Sequence, residues 1–404
     1  GVPGHRCLLV AYNKAASVEI ADRMRRWAPD DLKTEAAQVE VSTFHAWCRH
    51  LLLDSGFSVE VLEDTDGRRW INDFLKGALK DFDTSPTDAL AQICYLREVL
   101  PGYAPEKWHL KVPVPSWLVA TANDYLNRMR REEVIDFTAM QESALRLLDT
   151  REDVRADVHG RYDLVIADEA QDMNPMRCAI LARMIGTGAQ RVRTVMLVGD
   201  ARGQAIYRFA GATPEVFLAY EEGAAGAGHA LALSHNFRCG SAIVEAGNRV
   251  LGVPVGVSAR SETGSVAVED YETGFEEGAA TAEHIKGWIA AGVEPRDIAV
   301  LYRTRGASAE IQMALLEDAI PFVIRGGAGV FGRAVVQDAL AYLTAATTWD
   351  VEAIKRCSDA PARYLGRAWR DALDGVAATG AGGAELLDRR RYPPRFQRGV
   401  QNLA

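Results

Sequence analysis

The sequence predicts an α/β fold with two parallel sheets and a mostly helical insertion in the first of them. Two observations predict this fold class. Short apolar runs alternate with helical segments over the first ~55 residues and again after residue 162, and such alternation is typical of a parallel sheet. Residues 57–155 instead show helical periodicity and several tryptophans. The strands on either side of that segment are therefore expected to belong to one interrupted sheet.

The predicted elements of the first sheet follow the chain in order. Before the insertion, two extended runs each precede a helical segment, which gives strands Cys7–Tyr12 and Val39–Ser42 and helices Ala15–Trp27 and Thr43–Leu53. After the insertion, strands are predicted at residues 162–167 and 193–199. The run Leu164–Ala167 contains no polar residue, as in a central strand that is buried on both faces.

A second α/β unit is predicted after the segment Gly223–Gly228, whose glycines and alanines are typical of a linker. Short apolar runs again alternate with helical segments there. The predicted strands are Leu231–Leu233, Val266–Glu269, Ile298–Tyr302 and Phe322–Ile324, and the predicted helices are Ser241–Leu251, Gly278–Ala290 and Ser308–Glu317. From about residue 346 onward the chain is expected to be helical again.

The composition is that of a soluble globular protein. The 404 residues are 48% hydrophobic and 25% charged, and a chain of this length suggests roughly two to four domains. No apolar stretch approaches the ~18 residues of a membrane span, and the first residues lack a signal-peptide pattern. The six cysteines stand singly. This predicts a reducing compartment, the cytoplasm, and argues against a zinc site or a disulfide framework.

The net charge of −9 excludes a surface that binds polyanions in general. Nucleic acid, if bound, is expected in a local basic or aromatic groove. The basic clusters are Arg23–Arg26, Arg128–Arg131 and Arg389–Arg398. Each is expected to be a solvated face rather than a binding site.

A pair of carboxylates, Asp168 and Glu169, directly follows the buried run Leu164–Ala167. Open α/β sheets bind their ligands at the carboxyl ends of the strands. One carboxylate there can hold Mg²⁺ on the β- and γ-phosphates of a nucleotide, and the next can orient or deprotonate the attacking water. The alternative is an acidic turn between strand and helix, in which Asp172 or Asn174 caps the helix after Pro175.

Five short segments stand at the ends of predicted strands. Four of them lie outside the acid pair. They read Val-Ala-Tyr-Asn-Lys-Ala-Ala at 10–16, Ser-Thr-Phe-His-Ala-Trp-Cys at 42–48, Met-Leu-Val-Gly-Asp-Ala-Arg-Gly-Gln-Ala-Ile-Tyr-Arg-Phe-Ala-Gly-Ala at 196–212 and Leu-Ser-His-Asn-Phe-Arg-Cys at 233–239. The fifth is Asp-Glu-Ala-Gln-Asp at 168–172. In this order along the chain, the five segments resemble the superfamily 1 DNA helicases of the UvrD/Rep/PcrA type, and the residues of the first segment are most similar to the phage-like and F-box-helicase-like branches. The resemblance covers about residues 6–345.

This resemblance implies two RecA-like domains of the P-loop NTPase type, both incomplete. The first domain would comprise residues 1–56 and 156–225, with the helical insertion at 57–155. The second would comprise residues 226–345, followed by the start of another helical insertion at 346–404.

The resemblance also implies ATP and Mg²⁺ as cofactors, and a role for each matching residue. Asp168 would hold Mg²⁺ through water, and Glu169 would polarise the hydrolytic water. Gln204 would sense the γ-phosphate, since an amide both donates and accepts hydrogen bonds. Phe237 would stack on adenine, and Arg238 would reach the γ-phosphate, to which a guanidinium binds bidentately. A surface ion pair is the alternative for Arg238.

Single-stranded DNA is the implied partner of a second set of residues. Aromatic rings stack on bases without reading their sequence, and hydroxyl, amide and ammonium groups hold phosphates. The matching positions are Tyr12, Asn13, Lys14, Thr43, Phe44, His45, Tyr207 and Phe209. For Phe44 and Tyr207 a buried core role is the alternative. The segment Ile135-Asp136-Phe137 resembles the one that precedes the return into the first sheet.

The largest departure from the family pattern is an absence. The 404 residues contain no Gly-x-x-x-x-Gly-Lys-Ser/Thr loop, which cradles phosphates in this family. We therefore expect an internal fragment of a helicase that hydrolyses ATP poorly by itself. Three residues separate Asp200 from Gln204, where the family mostly has two.

The function implied for the parent protein is ATP-dependent movement on single-stranded DNA and at duplex junctions, with 3′ to 5′ polarity, in the cytoplasm and at the nucleoid of a bacterial or phage system. One alternative is a non-catalytic DNA-binding or scaffold protein on a degenerate helicase fold. A weaker one is the motor part of a helicase–nuclease. No membrane is implied as a partner.

Overall fold

The computed structural model describes residues 2–57, 60–62, 74–75, 77–79, 82, 84–187, 190–221, 229–252, 254, 256–304, 306–325, 334–358 and 366–401. The predicted linker Gly223–Gly228 lies outside these residues. The chain divides into two compact units, Gly1–Val266 and Ala267–Ala404, and each is described by itself.

Helices dominate both units. The α-helices in the described part of the chain are α1 Lys14–Trp27, α2 Lys33–Gln38, α3 Phe44–Asp54, α4 Pro86–Val99, α5 Ser116–Arg131, α6 Phe137–Thr150, α7 Glu152–Arg161, α8 Pro175–Ile185, α9 Pro214–Glu221, α10 Ser241–Leu251, α11 Gly274–Ala290, α12 Ser308–Glu317, α13 Ala334–Thr348, α14 Val351–Cys357, α15 Gly366–Ala378 and α16 Pro394–Gln401. The strands are β1 Cys7–Ala11, β2 Glu40–Thr43, β3 Glu60–Val61, β4 Val134–Ile135, β5 Leu164–Ala167, β6 Gly186–Thr187, β7 Gln190–Arg191, β8 Thr194–Leu197, β9 His235–Asn236 and β10 Val257–Ser258.

The first unit is built on a parallel sheet with the strand order β2-β1-β5-β8. In this sheet Leu8 of β1 lies beside Glu40 on one side and beside Val165 on the other, and Val165 lies beside Val195 of β8. Strands from before and after residues 57–155 therefore pair directly. Because all the strands are parallel, their carboxyl ends meet at one edge, where the candidate site lies.

Helices cover this sheet because its central strands are apolar on both faces. Every residue of β1 is buried, and Val165 of β5 is fully buried. Burial of one aliphatic side chain of this kind contributes about 1.5–3 kcal/mol. The residues that pack on the sheet come mainly from α3, α6 and α8 and include Trp47, Leu51, Met140, Leu148, Met176 and Ile180.

The helical insertion has a hydrophobic core of its own, around Ile93, Trp108 and Tyr125. Its two ends meet in a short parallel ladder, in which Glu60 and Val61 of β3 pair with Val134 and Ile135 of β4. The insertion is thus closed at its base before the chain returns to the sheet.

A buried arginine ties the insertion to α6. Arg97 is 2% exposed and donates through Nη1 to Asp136 Oδ2 at 2.7 Å and through Nη2 to Glu142 Oε2 at 2.7 Å. The hydroxyl of Tyr125 donates to the same Asp136 oxygen at 2.9 Å. Asp136 also caps α6, since its Oδ1 accepts from Ala139 N at 2.6 Å. The carboxylate of the Ile135-Asp136-Phe137 segment therefore has a structural role.

The predicted second sheet differs from the described structure. Residues 231–233, 266–269, 298–302 and 322–324 form no hydrogen-bonded ladder in the part of the chain that is described. The ladder found there is the short β9–β10 pair, which joins His235 to Val257. An apolar alternation predicts which side chains face inward, whereas a strand also needs a partner for its backbone groups.

The inward alternation itself is present in the second unit. Ile298 and Val300 pack on a cluster formed by α11 and α12, whereas Leu301, the residue after Val300, is 93% exposed. The two helices approach closely at Gly278, where an added Cβ would lie 2.8 Å from Glu310 O. The predicted helices Ser241–Leu251 and Ser308–Glu317 have the predicted bounds, and Gly278–Ala290 begins four residues earlier, at Gly274.

All six cysteines are free thiols in the structure. Within the described ranges, no helix combines the length and apolarity that crossing a membrane requires.

Candidate functional site

The acid pair lies at the carboxyl edge of the first sheet, fixed by hydrogen bonds to both neighbouring strands. The backbone N–H of Asp168 donates to Val10 O at 2.9 Å, on the β1 side. The N–H of Ala170 donates to Val198 O at 2.9 Å, on the β8 side. The turn that follows β5 is therefore held between the ends of β1 and β8.

Glu169 has a left-handed backbone, with φ 49° and ψ 44°. A side chain other than glycine is uncommon in this region, and such conformations concentrate at functional sites. The Glu169 carboxylate accepts a hydrogen bond from Gln171 Nε2 at 2.7 Å. Gln171 is 1% exposed, and its Oε1 accepts from Asp200 N at 3.2 Å. One buried amide thus connects the acid pair to the loop after β8.

The sequence analysis did not single out Gln171, although it lies within the quoted segment 168–172. The available signal was an amide beside two carboxylates at a strand end, because an amide can donate to one group and accept from another. The sequence analysis did not single out Gly199 either. A Cβ at Gly199 would lie 2.0 Å from Gln171 Oε1, so any larger residue there would displace the Gln171 amide.

Burial and the neighbouring charge of Glu169 raise the pKa values of Asp168 and Asp172. Burial raises the pKa of Asp168, and the charge of Glu169 raises it further. The pKa of Asp172 rises to about 6, mainly through burial and then through Glu169, while the charge of Arg177 opposes the shift. Asp172 Oδ1 is buried and has no hydrogen-bond partner in the described part of the chain.

The alternative interpretation of this turn included a helix cap. Asn174 provides it, since its Oδ1 accepts from Arg177 N at 2.9 Å at the start of α8. Asp172 is not the cap. Capping by Asn174 leaves Asp168 and Glu169 without a capping role.

An aromatic stack lies at the same edge of the sheet. We use "the stack" for Tyr12, Tyr207 and Phe209. The rings of Tyr12 and Tyr207 are stacked with centroids 5.4 Å apart, and those of Tyr207 and Phe209 are 6.1 Å apart. Phe209 is 73% exposed and forms the outer end. Tyr207 is half-buried. Its exposure is therefore intermediate between that of a core residue and that of an exposed DNA-contacting residue, the two alternatives that the sequence allows.

Two helices begin beside the stack, and predicted DNA-binding residues cap both. Asn13 Oδ1 accepts from Ala16 N at 2.9 Å at the start of α1, and Thr43 Oγ1 accepts from Ala46 N at 3.2 Å at the start of α3. Each cap uses an acceptor, so the Asn13 amide N–H groups and the Thr43 hydroxyl proton stay available as donors. Lys14 is exposed. Helix N-termini favour phosphate groups.

The structure buries Phe44 and half-buries His45. Phe44 is 4% exposed and belongs to the core of the first unit, so its predicted DNA contact is replaced by the core role. His45 is half-buried, with its Nε2 2.8 Å from Gln141 Nε2 and its ring against Phe137. Burial lowers the pKa of His45 to about 4, and the charge of Arg177 adds to this effect. A neutral imidazole does not attract phosphate by charge.

A cleft of ≈ 750 Å³ brings together three residues predicted to contact the nucleotide, Gln204, Phe237 and Arg238. Phe237 is 77% exposed. The loop that carries it is shaped by Asn236, whose Oδ1 accepts from Arg238 N at 2.9 Å and Cys239 N at 2.8 Å.

Other residues complete the lining of this cleft, namely Arg23, Trp27, Leu233, His235, Asn236 and Cys239. Arg23 was predicted to lie on a solvated face. Neither Asp168 nor Glu169 is among the described residues that line the cleft. The structure thus places the predicted residues in two groups, one around the acid pair and the stack and one around the cleft.

The described carboxylates, imidazoles and thiols form no cluster that could hold a metal ion by themselves. Within the described residues, no group of three or more His, Cys, Asp or Glu side chains could hold a metal ion. A Mg²⁺ site that uses one or two carboxylates together with waters and phosphates needs no such cluster.

Comparison with known proteins agrees with the motif order. Residues 1–225 match the family model for the UvrD/REP helicase N-terminal domain, and residues 231–388 match that for the UvrD-like helicase C-terminal domain. The chain is 27% identical to the putative ATP-dependent DNA helicase YjcD of Bacillus subtilis, over 94% of this chain and 50% of that protein.

Other relatives are similar at the same level. The chain is 24% identical to the ATP-dependent DNA helicase PcrA of Staphylococcus aureus, over 90% of this chain and 50% of that protein. It is 23% identical to the probable DNA helicase II homolog of Mycoplasma capricolum, over 84% of this chain and 48% of that protein. It spans about half the length of these relatives. With both domain models matched in order and the motifs placed at the strand ends, the chain belongs to the UvrD/REP helicase family.

Proposed function

We propose that this chain carries the DNA-gripping surface and the water-activating carboxylates of an ATP-dependent DNA helicase. One observation carries the proposal. The stack and the Glu169 turn lie at the same edge of one parallel sheet, and Gln171 connects that turn to the loop on which Tyr207 and Phe209 lie. A base on the stack and a nucleotide at the turn would therefore act on the same short loop.

Single-stranded DNA is the proposed ligand of the stack. The exposed Phe209 ring offers a face for a base, and every base has an aromatic face, so binding would not depend on sequence. The caps Asn13 and Thr43 and the exposed Lys14 would hold the phosphates that flank the stacked base. Duplex junctions are proposed as the site of action, and 3′ to 5′ movement is proposed from the family resemblance.

ATP and Mg²⁺ are the proposed cofactors. The half-buried Asp168 fits a Mg²⁺ ligand, because a nearby cation would relieve the burial and repulsion that raise the pKa of its carboxyl group. When bound, Mg²⁺ neutralises charge on the phosphates. Glu169 would orient the attacking water, held in place by its hydrogen bond from Gln171.

The cleft residues are proposed to recognise the rest of the nucleotide. Phe237 has an exposed ring on which adenine could stack. Arg238 and Gln204 line the same cleft, and their guanidinium and amide groups suit the γ-phosphate. Closure of such a site on ATP and its release after hydrolysis would alternate the grip on DNA.

A second candidate applies to the 404 residues by themselves, namely DNA binding without catalysis. It is favoured by the absence of a Gly-x-x-x-x-Gly-Lys-Ser/Thr loop from the sequence, because the amides, lysine and hydroxyl of that loop supply much of the electrostatic stabilisation of phosphoryl transfer.

Binding of a fluorescein-labelled oligo(dT) tests the proposal through its anisotropy. Phe209→Ala is expected to weaken binding by about 1–3 kcal/mol, the range for one stacked base. Phe275→Ala is the matched control, because Phe275 is 67% exposed and lies in the second unit. Equal affinity of Phe209→Ala and the unmodified chain would contradict a DNA-binding role for the stack.

A further inference from the structure

Arg177 lies at the inner end of the stack. It belongs to the first turn of α8, and its guanidinium carbon is 5.0 Å from the centre of the Tyr12 ring. Its Nε atom is buried and has no hydrogen-bond partner in the described part of the chain. Buried donors are nearly always paired. Because Nε is an exception, a contact other than a hydrogen bond from Nε must hold the guanidinium in place.

The position of this cation is central. Its charge acts on His45 of α3, on Asp172 of the acidic turn and on Glu98 of α4, in each case favouring the form with less positive charge. Side chains from three segments therefore lie within range of its charge, and its guanidinium carbon lies over the Tyr12 ring. The aromatic face is the contact for which a planar guanidinium is suited.

The order along the row is Arg177, Tyr12, Tyr207 and Phe209. The members come from different segments, since Tyr12 follows β1, Arg177 lies in the first turn of α8, and Tyr207 and Phe209 follow β8. Arg177, Tyr12 and Tyr207 are half-buried, whereas Phe209 is 73% exposed. The row therefore has a half-buried inner end at Arg177 and an exposed outer end at Phe209.

We propose that Arg177 is a positioning residue that fixes the inner end of the stack and thereby sets the platform on which a DNA base is held. The proposal rests on the proposed function of the stack as a DNA-binding surface. Arg177 would not touch the DNA. It would act through Tyr12, whose ring it holds against Tyr207.

The first test compares substitutions on one helix. Arg177→Met keeps much of the length of the side chain but removes its charge, and it is expected to weaken oligo(dT) binding about 2- to 30-fold, the range that a cation–π contact supports. Arg177→Lys keeps the cation and should recover most of the affinity. Arg183→Met on the same helix is the control, since Arg183 forms a surface ion pair with Asp149 at 2.8 Å and should leave binding unchanged.

A double-mutant cycle with Phe209→Ala distinguishes positioning from general destabilisation. Once the outer ring is absent, Arg177→Met should cause a smaller loss of affinity than it causes alone, because both residues act on one platform. Additive losses, or an Arg177→Lys variant as weak as Arg177→Met, would overturn the proposal. The melting temperature by circular dichroism shows whether each variant is folded.

If Arg177→Met does not fold, Tyr12→Leu replaces it in the cycle. This change removes the ring under the guanidinium and should again give less than additive losses with Phe209→Ala, whereas additive losses would count against the row. Different results would refute the proposed function and the proposed role of Arg177. An unmodified chain that does not bind, or a Phe209→Ala variant that binds equally well, refutes the proposed function. Normal binding by Arg177→Met, with Phe209→Ala impaired, refutes only the role of Arg177.

Discussion

At the scale of single residues, the acid turn depends on side chains that do no chemistry. Glu169 occupies a left-handed conformation. This conformation is unfavourable for any residue other than glycine and persists only where its surroundings impose it. The hydrogen bond from Gln171 and the ties of Asp168 and Ala170 to neighbouring strands provide those surroundings. The position of the Glu169 carboxylate is therefore set by a buried amide and by backbone groups.

Gly199 gives the first prediction at this scale. Gly199→Ala places a methyl group where Gln171 Oε1 now lies, 2.0 Å from the ideal Cβ position. The amide must move, so its bonds to Glu169 and Asp200 weaken, and overpacking of this kind costs about 1–3 kcal/mol. We expect a lower free energy of unfolding in urea denaturation.

Gly160→Ala is the control for that measurement. Gly160 lies in α7 with nothing within 4 Å of its added Cβ, so alanine should be neutral or stabilising there, by roughly 0.5–1 kcal/mol. If both substitutions changed stability equally, the close contact between Gly199 and Gln171 would not be the cause.

Residue-level prediction from the sequence worked where the chemistry of a residue determines its place, and failed where packing does. The acid pair after an apolar strand was predictable, because a buried parallel strand must end at the ligand-binding edge. Phe44 shows the limit. A phenylalanine one residue after a strand suits a base or the core equally well, and only the helix that begins there directs the ring inward. Arg177 carried no signal in the sequence, because its contact with Tyr12 joins two distant segments.

At the scale of elements, the strands of the first sheet were predicted to within two residues of their ends. The strand predicted at residues 162–167, from the apolar run Leu164–Ala167, forms over Leu164–Ala167 in the structure. In the second unit, Ile298 and Val300 face the helices as their alternation indicates, but residues 298–302 form no described ladder. Side-chain patterns determine facing, whereas pairing depends on neighbours far away in the sequence.

The junction between α4, α5 and α6 gives a prediction for elements. Arg97→Met leaves the buried carboxylate of Asp136 without its cation and Glu142 without its bidentate partner. Removal of one member of a buried ion pair costs about 3–5 kcal/mol. We expect a correspondingly lower free energy of unfolding, or a separate early transition if the insertion unfolds first.

Arg151→Met is the control for Arg97. The Arg151 side chain is 52% exposed and pairs with Asp153, and exposed pairs contribute about 0–1 kcal/mol. A loss of stability no larger for Arg97→Met than for Arg151→Met would show that the buried network does not hold the insertion to α6.

At the scale of the whole molecule, the net charge of −9 gives no general attraction for a polyanion. Under the proposed function, affinity for DNA would therefore come from the stack, the capped helix ends and Lys14. Family membership was predictable from the order of the motifs, since several short patterns at strand ends rarely occur together by chance. The described residues of the second unit form none of the predicted ladders, and this was not predictable, because strand pairing is a property of the whole sheet.

The last prediction concerns ATP turnover by the 404 residues. Without a Gly-x-x-x-x-Gly-Lys-Ser/Thr loop, the γ-phosphate lacks the amides and the lysine that stabilise transfer. We expect phosphate release with ATP, Mg²⁺ and oligo(dT), measured with malachite green, to stay near the rate without protein, although the same preparation binds oligo(dT). Glu169→Gln is the internal control, since it should then change nothing. DNA-stimulated release that Glu169→Gln abolishes would show that this chain holds and hydrolyses the nucleotide with the residues it has.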